Sequence, residues 1–109
     1  MLEVQIAKDS RGRLSSLFAS GHADFAIQSE DVVCAAVSAI LQADYAGLED
    51  VAELRFEGKR ASGELLMRIP EEARDRPDVA AIVTTAAISV EQIARQHPEY
   101  VRVTYTAES

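Results

Sequence analysis

The chain begins with apolar side chains at every second position. Leu2, Val4 and Ile6 alternate with polar or small residues, which is the pattern of a β-strand that buries one face. Residues 9–12 then supply turn-forming residue types, so the sequence predicts a hairpin. The return strand is predicted over residues 13–20.

After residue 30 the apolar positions change to helical spacing. Asp31 is predicted to be the N-cap of this helix, because its carboxylate can accept a hydrogen bond from the backbone N–H three residues on. The helix is expected to end at about Ala43 and to be followed by an exit loop over residues 44–50. Its apolar positions are Val33, Ala36, Val37, Ile40 and Leu41. A helix this apolar must be largely covered by the rest of the fold.

A second hairpin is predicted in the middle of the chain. Residues 51–57 and 64–69 alternate in the manner of strands, and residues 58–63 are expected to form the turn between them. Lys59 and Arg60 would then lie at the tip of the turn, in solvent.

A second helix is predicted over residues 78–96. Pro77 fits its first turn and Pro98 stops it. Its apolar stripe consists of Val79, Ile82, Val83, Ala86, Val90 and Ile93. His97 would lie at the helix end, where a cation suits the helix dipole, and we favour this structural role over a catalytic one. Residues 100–105 alternate again and form the last predicted strand.

The predicted order is therefore β-β-α-β-β-α-β. Two antiparallel hairpins and two apolar helices indicate an α+β, two-layer architecture, with a mainly antiparallel five-stranded sheet and both helices on one face. A chain of 109 residues has room for one core, so residues 1–109 are predicted to form a single domain.

Composition narrows the range of partners. The 18 acidic residues outnumber the 11 basic ones, which gives a formal net charge of −7. Such a surface repels phosphate backbones, so direct nucleic-acid binding is not expected. A basic protein or peptide is the more natural partner.

Other features of the sequence bear on the cellular location of the protein and on whether it binds a metal ion. The first residues lack a secretory signal pattern, and no apolar run approaches the ~18 residues of a membrane span, so a cytoplasmic protein that does not bind membranes is expected. One cysteine cannot form an internal disulfide, and one cysteine with two histidines does not supply a structural zinc site. No metal site is therefore predicted, and no cofactor is expected.

The candidate chemistry lies around Cys34. A thiol in the first turn of a helix that starts at Asp31 would be near unpaired N–H groups and the positive end of the dipole, which favour the thiolate. His22 follows Gly21, a flexible point from which the imidazole can fold back towards the helix. Against this, a single cysteine among valines and alanines is also what a small buried hydrophobic residue looks like.

The stretch around Cys34 resembles the bacterial ribosomal-processing cysteine protease family, the Prp family. That family carries Gly-His-Ala, a short loop, and then Asp-x-x-Cys-Ala-Ala-x-Ser. Here the first part is Gly21, His22 and Ala23, and the second runs from Asp31 through Cys34 to Ser38. The Pro-Glu-Tyr-Val segment that starts at Pro98 is also similar to the family, so the resemblance spans nearly the whole chain.

The resemblance implies that Cys34 is the nucleophile and His22 the base that activates it. Asp31 would be a supporting residue, acting either as a helix cap or by orienting His22, since a carboxylate beside the thiolate would oppose its formation. Ser38 lies one helical turn after Cys34, where its hydroxyl either steadies the site or bonds back to the Cys34 carbonyl.

The loop between the two catalytic positions departs from the family. Relatives commonly carry glycine near positions 24 and 29, and a polar and aromatic pair near 27 and 28. This chain has Asp24, Ile27, Gln28 and Ser29 instead. Ala23 and Phe25 belong to the same segment, which is expected to close over the substrate. Because fewer glycines make this segment stiffer, the departure bears on substrate preference more than on the reaction class.

By resemblance, the expected function is that of a cysteine endopeptidase. Its substrate would be a short N-terminal extension on the large-subunit ribosomal protein whose N-terminal arm reaches the peptidyl-transferase centre. The resemblance also implies a homodimer. The alternative is not an enzyme but a non-catalytic, ribosome-associated binding protein on the same fold. The altered loop is the reason for considering it. A thiol hydrolase acting on a small ester or thioester is a third possibility, for which the sequence carries no cofactor or acyl-carrier signature.

Overall fold

The computed structural model describes residues 1–21, 28–61 and 63–108, and for residues 28–31 the backbone alone. Over these residues the chain forms two α-helices and a five-stranded sheet. The elements are β1 Leu2–Lys8, β2 Leu14–Ser20, α1 Gln28–Ala46, a π-helical turn Gly47–Val51, β3 Glu57–Ala61, β4 Glu64–Arg68, a 3-10 turn Glu71–Ala73, α2 Pro77–Gln96 and β5 Val101–Ala107.

The strands are arranged in the order β3-β4-β2-β1-β5. Three of the four neighbouring pairs are antiparallel, and β5 runs parallel to β1. This parallel pair follows from the connection: α2 carries the chain across the sheet, so that β5 enters in the same direction as β1. The predicted mainly antiparallel α+β fold is confirmed.

The core lies between the sheet and the helices. Leu2, Val4 and Ile6 of β1 are buried, while Glu3 and Gln5 between them are exposed. The other strands continue the buried face with Leu17, Ala19, Leu65, Met67 and Val101, and the helices cover it with Val33, Val37, Leu41, Val79, Val83 and Val90. Alternate positions of the sheet are therefore buried on one side only, as a two-layer fold requires.

Helix α1 is longer than predicted at both ends. It begins at Gln28 instead of Asp31, and it runs through Ala46 into the π-helical turn where an exit loop was expected. Gln28 and Glu30 are good helix formers, and a carboxylate at Asp31 suits the first turn of a helix as well as its cap. Asp31 is thus inside the helix, and the prediction that it is the N-cap is wrong.

The strand predicted over residues 51–57 is also wrong. Val51 belongs to the π-helical turn, and β3 starts only at Glu57. Glu53 has a φ angle of 50°, in the left-handed region, which an extended strand does not allow. Lys59 and Arg60 consequently lie within β3 and not at the tip of a turn.

The stretch Val32–Val51 is long and apolar enough to cross a membrane by length and composition, with a mean hydropathy of 1.3 over 20 residues. The expectation that no stretch approaches that length was therefore wrong. The core helix of a globular fold meets the same criterion, and this one contributes Val33, Val37 and Leu41 to the core.

Candidate active site

Cys34 lies on the face of α1 that packs into the core. Its exposed fraction is 0%, and it belongs to the same cluster of buried residues as Val33, Val37 and Leu41. The side chain is therefore covered in this structure, as the interpretation of Cys34 as a small buried hydrophobic residue requires. Any reaction at its sulfur needs the covering groups to move.

The early start of α1 changes the electrostatic argument for Cys34. Because the helix begins at Gln28, Cys34 lies in its second turn. The N–H groups without a helical partner belong to the first four residues, and the dipole effect falls off within the first turn. The prediction that Cys34 sits in the first turn is wrong, so the helix terminus contributes less to thiolate stability than the sequence suggested.

A groove of about 300 Å³ lies beside Cys34. Ala35 and Ser38 of α1 form one wall, Ala19 of β2 lies at its floor, and Glu64 and Leu65 of the β3–β4 hairpin form the opposite wall. Leu2, Leu41, Gln42, Ala61 and Gly63 complete the lining. The groove thus joins the helix segment that carries the cysteine to the end of the strand that leads towards His22.

Gly21 occupies a backbone position that excludes other residues. Its φ angle is 90°, and a Cβ atom built on it would lie 2.6 Å from the carbonyl oxygen of Met1. Both features require glycine. The sequence predicted a flexible point at Gly21, whereas the structure places this residue close to the carbonyl oxygen of Met1, just before His22 in the sequence.

Several predicted site residues lie outside the described residues. These are His22, Ala23, Asp24, Phe25 and Ile27. Gln28, Ser29 and Asp31 belong to the first turn of α1, and their side chains are likewise outside the description. The roles assigned to them stay predictions.

Ser38 and His97 are both described. Ser38 is half-buried and lines the groove one turn after Cys34. His97 follows the last residue of α2, its side chain is 42% exposed, and its ring stacks on Tyr100 with 6.3 Å between the ring centroids. His97 is far in sequence from the groove and is absent from its lining, which agrees with the structural role predicted for it.

Sequence reasoning missed the groove residues contributed by the sheet and the hairpin. Ala19, Glu64 and Leu65 are brought to α1 by strand pairing, and no local pattern marks them. Asp44 was also missed, because the helix was expected to end before it. The signal was present, since Leu41, Asp44 and Leu48 follow the spacing of the buried helix stripe.

No group of three or more His, Cys, Asp or Glu residues that could hold a metal ion is found in the described part of the chain. The arrangement that the structure does show is a buried thiol on α1 next to an open groove between α1, β2 and the β3–β4 hairpin.

Comparison with known proteins adds to this geometry. The family model described as cysteine protease Prp matches residues 1–102. No curated protein matches the chain.

Solved structures share the fold. A ribosomal processing protease Prp from Staphylococcus aureus, in complex with a substrate peptide, is 23% identical, with a TM-score of 0.87 over 97% of this chain and 100% of that chain. The same protease with a covalently linked product peptide has a TM-score of 0.85, at 23% identity and with the same coverage. A protein from Streptococcus mutans is 20% identical, with a TM-score of 0.85 over 99% of this chain and 96% of that chain.

These structural similarities establish the fold, and the sequence match extends over nearly all of the chain. This chain belongs to the cysteine protease Prp family and is a cysteine protease.

Proposed function

We propose that this protein is a cysteine endopeptidase that removes a short N-terminal extension from a large-subunit ribosomal protein, the one whose N-terminal arm reaches the peptidyl-transferase centre. The observation that carries the proposal is the groove that joins Ala35 and Ser38, which follow Cys34 on α1, to the end of β2. The similar Staphylococcus aureus fold is that of a ribosomal processing protease in complex with a substrate peptide, which supports this choice of substrate class.

In the proposed mechanism, Cys34 is the nucleophile and His22 the general base. His22 takes the thiol proton as the sulfur attacks the carbonyl carbon of the scissile peptide bond. His22 then returns a proton to the leaving amine as the C–N bond breaks, which leaves a thioester on Cys34. Water hydrolyses the thioester, so that the carboxylate product leaves and the thiol is restored.

The burial of Cys34 adds a requirement to this mechanism. The sulfur has no exposed surface in this structure, so the covering residues must move when a peptide occupies the groove. Gly21, which precedes His22 in the sequence, lies just after the strand that contributes Ala19 to the groove.

The charge of the protein suits a basic substrate. The net charge is −7, and Glu64 lies in the wall of the groove. Acidic groups raise the local concentration of a basic peptide and speed its association. We further infer that the protein acts in the cytoplasm, where a reducing environment keeps Cys34 as a thiol.

We also propose that the protein is a homodimer. In the described sheet β3 and β5 are edge strands, and edge strands can pair with another copy of the chain. Light scattering after gel filtration would report twice the chain mass. A monomer at micromolar concentration would contradict this part of the proposal.

Cleavage of the substrate tests the catalytic assignment. Purified protein is incubated with a synthetic peptide that spans the extension junction of the ribosomal protein from the same source, and the products are followed by mass spectrometry. We expect Cys34→Ala to abolish cleavage and His22→Ala to slow it by about 10²–10⁴-fold, the usual contribution of general acid–base catalysis.

The other histidine provides the matched control. His97→Ala should cleave at nearly the wild-type rate, because His97 lies at the end of α2. Equal cleavage by Cys34→Ala would rule out the mechanism. Saturable binding of the peptide without any product, together with normal cell growth of Cys34→Ser, would favour the alternative of a non-catalytic binding protein.

A further inference from the structure

An open groove of about 490 Å³ lies between the two helices. Ile40 and Val51 form apolar walls on the side of α1, and Ile82 does so on α2. A volume of this size is typical of sites that bind small molecules, which are mostly apolar with a few polar groups at fixed positions. We call it the interhelical groove.

Asp44 is the ionisable residue of the interhelical groove. Its exposed fraction is only 7%, and its Oδ2 atom is buried and has no hydrogen-bond partner among the residues that the structure describes. Leaving a buried polar atom unpaired destabilises the folded protein, and a charged atom does so more strongly. Most buried polar groups in folded proteins are paired, so an exception needs an explanation.

The surroundings of Asp44 indicate what would pair with it. None of the residues that line the interhelical groove is a lysine, arginine or histidine. Thr85 and Ser89 on α2 line the same groove and carry hydroxyl oxygens that can accept hydrogen bonds. A protonated amine is complementary to this set, because an ammonium group has three donors and a charge opposite to that of the carboxylate.

We propose that the interhelical groove is a binding site for a small organic cation, a protonated primary amine on an aliphatic or aromatic body. Its ammonium group pairs with Asp44 and donates its remaining hydrogens to Thr85 and Ser89. Its apolar body contacts Ile40, one helical turn before Asp44, and Ile82 on α2. The site lies about 15 Å from Cys34 along the axis of α1, so it is separate from the proposed peptidase site and does not depend on that proposal.

Benzylamine is a suitable probe for this site. It is titrated into the full-length, ¹⁵N-labelled protein at about pH 8, where the amine is still largely protonated, and amide shifts are followed by NMR. We expect saturable shifts that are largest near residues 43–47 and 81–89. Benzyl alcohol, which has the same ring but no charge, should bind at least tenfold more weakly.

Three variants test the assignment of residues. Asp44→Asn should weaken benzylamine binding by tenfold or more. Asp50→Asn, which changes an exposed carboxylate just beyond α1, should bind as the wild type does. Thr85→Trp places a large ring in the groove from an exposed position and should block binding while the amide spectrum remains that of the folded protein.

The pH dependence provides an independent measurement. Burial raises the pKa of Asp44 to about 7. Benzylamine binding should therefore weaken as the pH falls below about 7, because the carboxyl then becomes neutral while the amine stays charged. No other ionisable side chain lines the interhelical groove.

Three results would overturn the proposal. They are the absence of saturable shifts at millimolar benzylamine, equal binding by Asp44→Asn, and equal binding of benzyl alcohol, which would indicate an apolar cavity without a cation site. Peptide cleavage is measured in parallel, because it tests the proposed function independently of whether benzylamine binds.

Discussion

Gly21 is constrained twice by its surroundings. Its φ angle of 90° strains any other residue, and a Cβ atom would approach the Met1 carbonyl oxygen to 2.6 Å. We expect Gly21→Ala to destabilise the fold by about 2–4 kcal/mol, the sum of the strain at positive φ and the steric conflict. It should also reduce peptide cleavage, because the shift occurs next to His22. Chemical denaturation and the peptide assay would measure the two effects.

Gly12 is the matched control for Gly21. Its φ angle is 78°, but a Cβ atom there has nothing within 4 Å. Gly12→Ala should therefore show only the strain of the backbone, about 1 kcal/mol, and leave cleavage unchanged. Equal losses of stability in the two variants would mean that the contact with Met1 contributes nothing.

Asp44 makes the stability of the fold depend on pH. Burial raises the pKa of Asp44 from 3.8 to about 7 in the folded state. Between these two pKa values the folded protein holds a proton that the unfolded chain releases. The stabilisation from this proton is complete below about pH 4 and is lost as the pH rises to about 7.

Asp44→Asn removes this titration. From about pH 4 to about pH 8, the free energy of unfolding of the variant should rise relative to wild type by up to about 4 kcal/mol, the free-energy equivalent of a pKa raised from 3.8 to about 7. Urea denaturation at both pH values measures the difference. Asp50→Asn changes an exposed residue and should keep the pH dependence of the wild-type stability. If the free energies of unfolding of Asp44→Asn and wild type differed by the same amount at both pH values, the prediction would be contradicted.

At the scale of elements, the β1–β2 turn is fastened to the segment before α2 by one carboxylate. The Oδ1 atom of Asp9 accepts hydrogen bonds from the backbone N–H groups of Arg11 and Arg13, at 2.9 Å and 3.0 Å. Its Oδ2 atom accepts from the guanidinium groups of Arg13 and Arg74, both at 3.0 Å. Arg74 also donates to the backbone carbonyl of Ile69, so the turn, the end of β4 and the 3-10 turn are held together.

This network sets the acid response of Asp9. Desolvation acts to raise its pKa, but the hydrogen bonds from Arg13, Arg74 and Arg11 outweigh it and hold the pKa at about 2. The contribution of ionised Asp9 to the free energy of unfolding is therefore present above about pH 4 and is lost as the pH falls towards about 2.

We expect Asp9→Asn to lower the melting temperature at neutral pH and to make stability less sensitive to acid between about pH 4 and about pH 2. Asp75→Asn is the control, since Asp75 also bonds Arg13, at 2.9 Å, but its side chain is 66% exposed. A melting temperature for Asp9→Asn no lower than that of Asp75→Asn would show that the network does not fasten the turn.

At the scale of the whole molecule, the proposed nucleophile Cys34 is also a core residue. Cys34 belongs to the cluster that joins the sheet to both helices. A nucleophile in such a position must be reached by a local opening, because global unfolding is too rare to support turnover.

Alkylation of Cys34 by iodoacetamide distinguishes exposure of the thiol by local opening from exposure by global unfolding. We expect the native protein to react more slowly than the unfolded chain, at a rate unaffected by Ile69→Val. That substitution lies in the core and destabilises the fold by about 1 kcal/mol, which raises the unfolded population about fivefold. A fivefold faster alkylation of the variant would mean that the thiol is exposed only by global unfolding, which would contradict a catalytic role.

The local pattern of the chain was sufficient for most elements. Period-two alternation located β1, and the stripe from Val79 to Ile93 located α2, since both patterns reflect burial of one face of an element. The element order and the α+β class followed from these. The pattern was not sufficient for the ends of α1 or the start of β3, because the apolar spacing does not mark where helix formers extend α1 to Gln28 or where Glu53 adopts a left-handed φ angle.

The sequence by itself determined the class of the fold and the motif that carries Cys34. These depend on residue types and short spacings, which are properties of neighbouring residues. Only the tertiary structure decided the strand order, the complete burial of Cys34, the groove built from α1, β2 and the β3–β4 hairpin, and the unpaired carboxylate of Asp44. The physical reason is that burial and groove shape are set where elements distant in sequence pack together, and no local pattern records which residues will meet there.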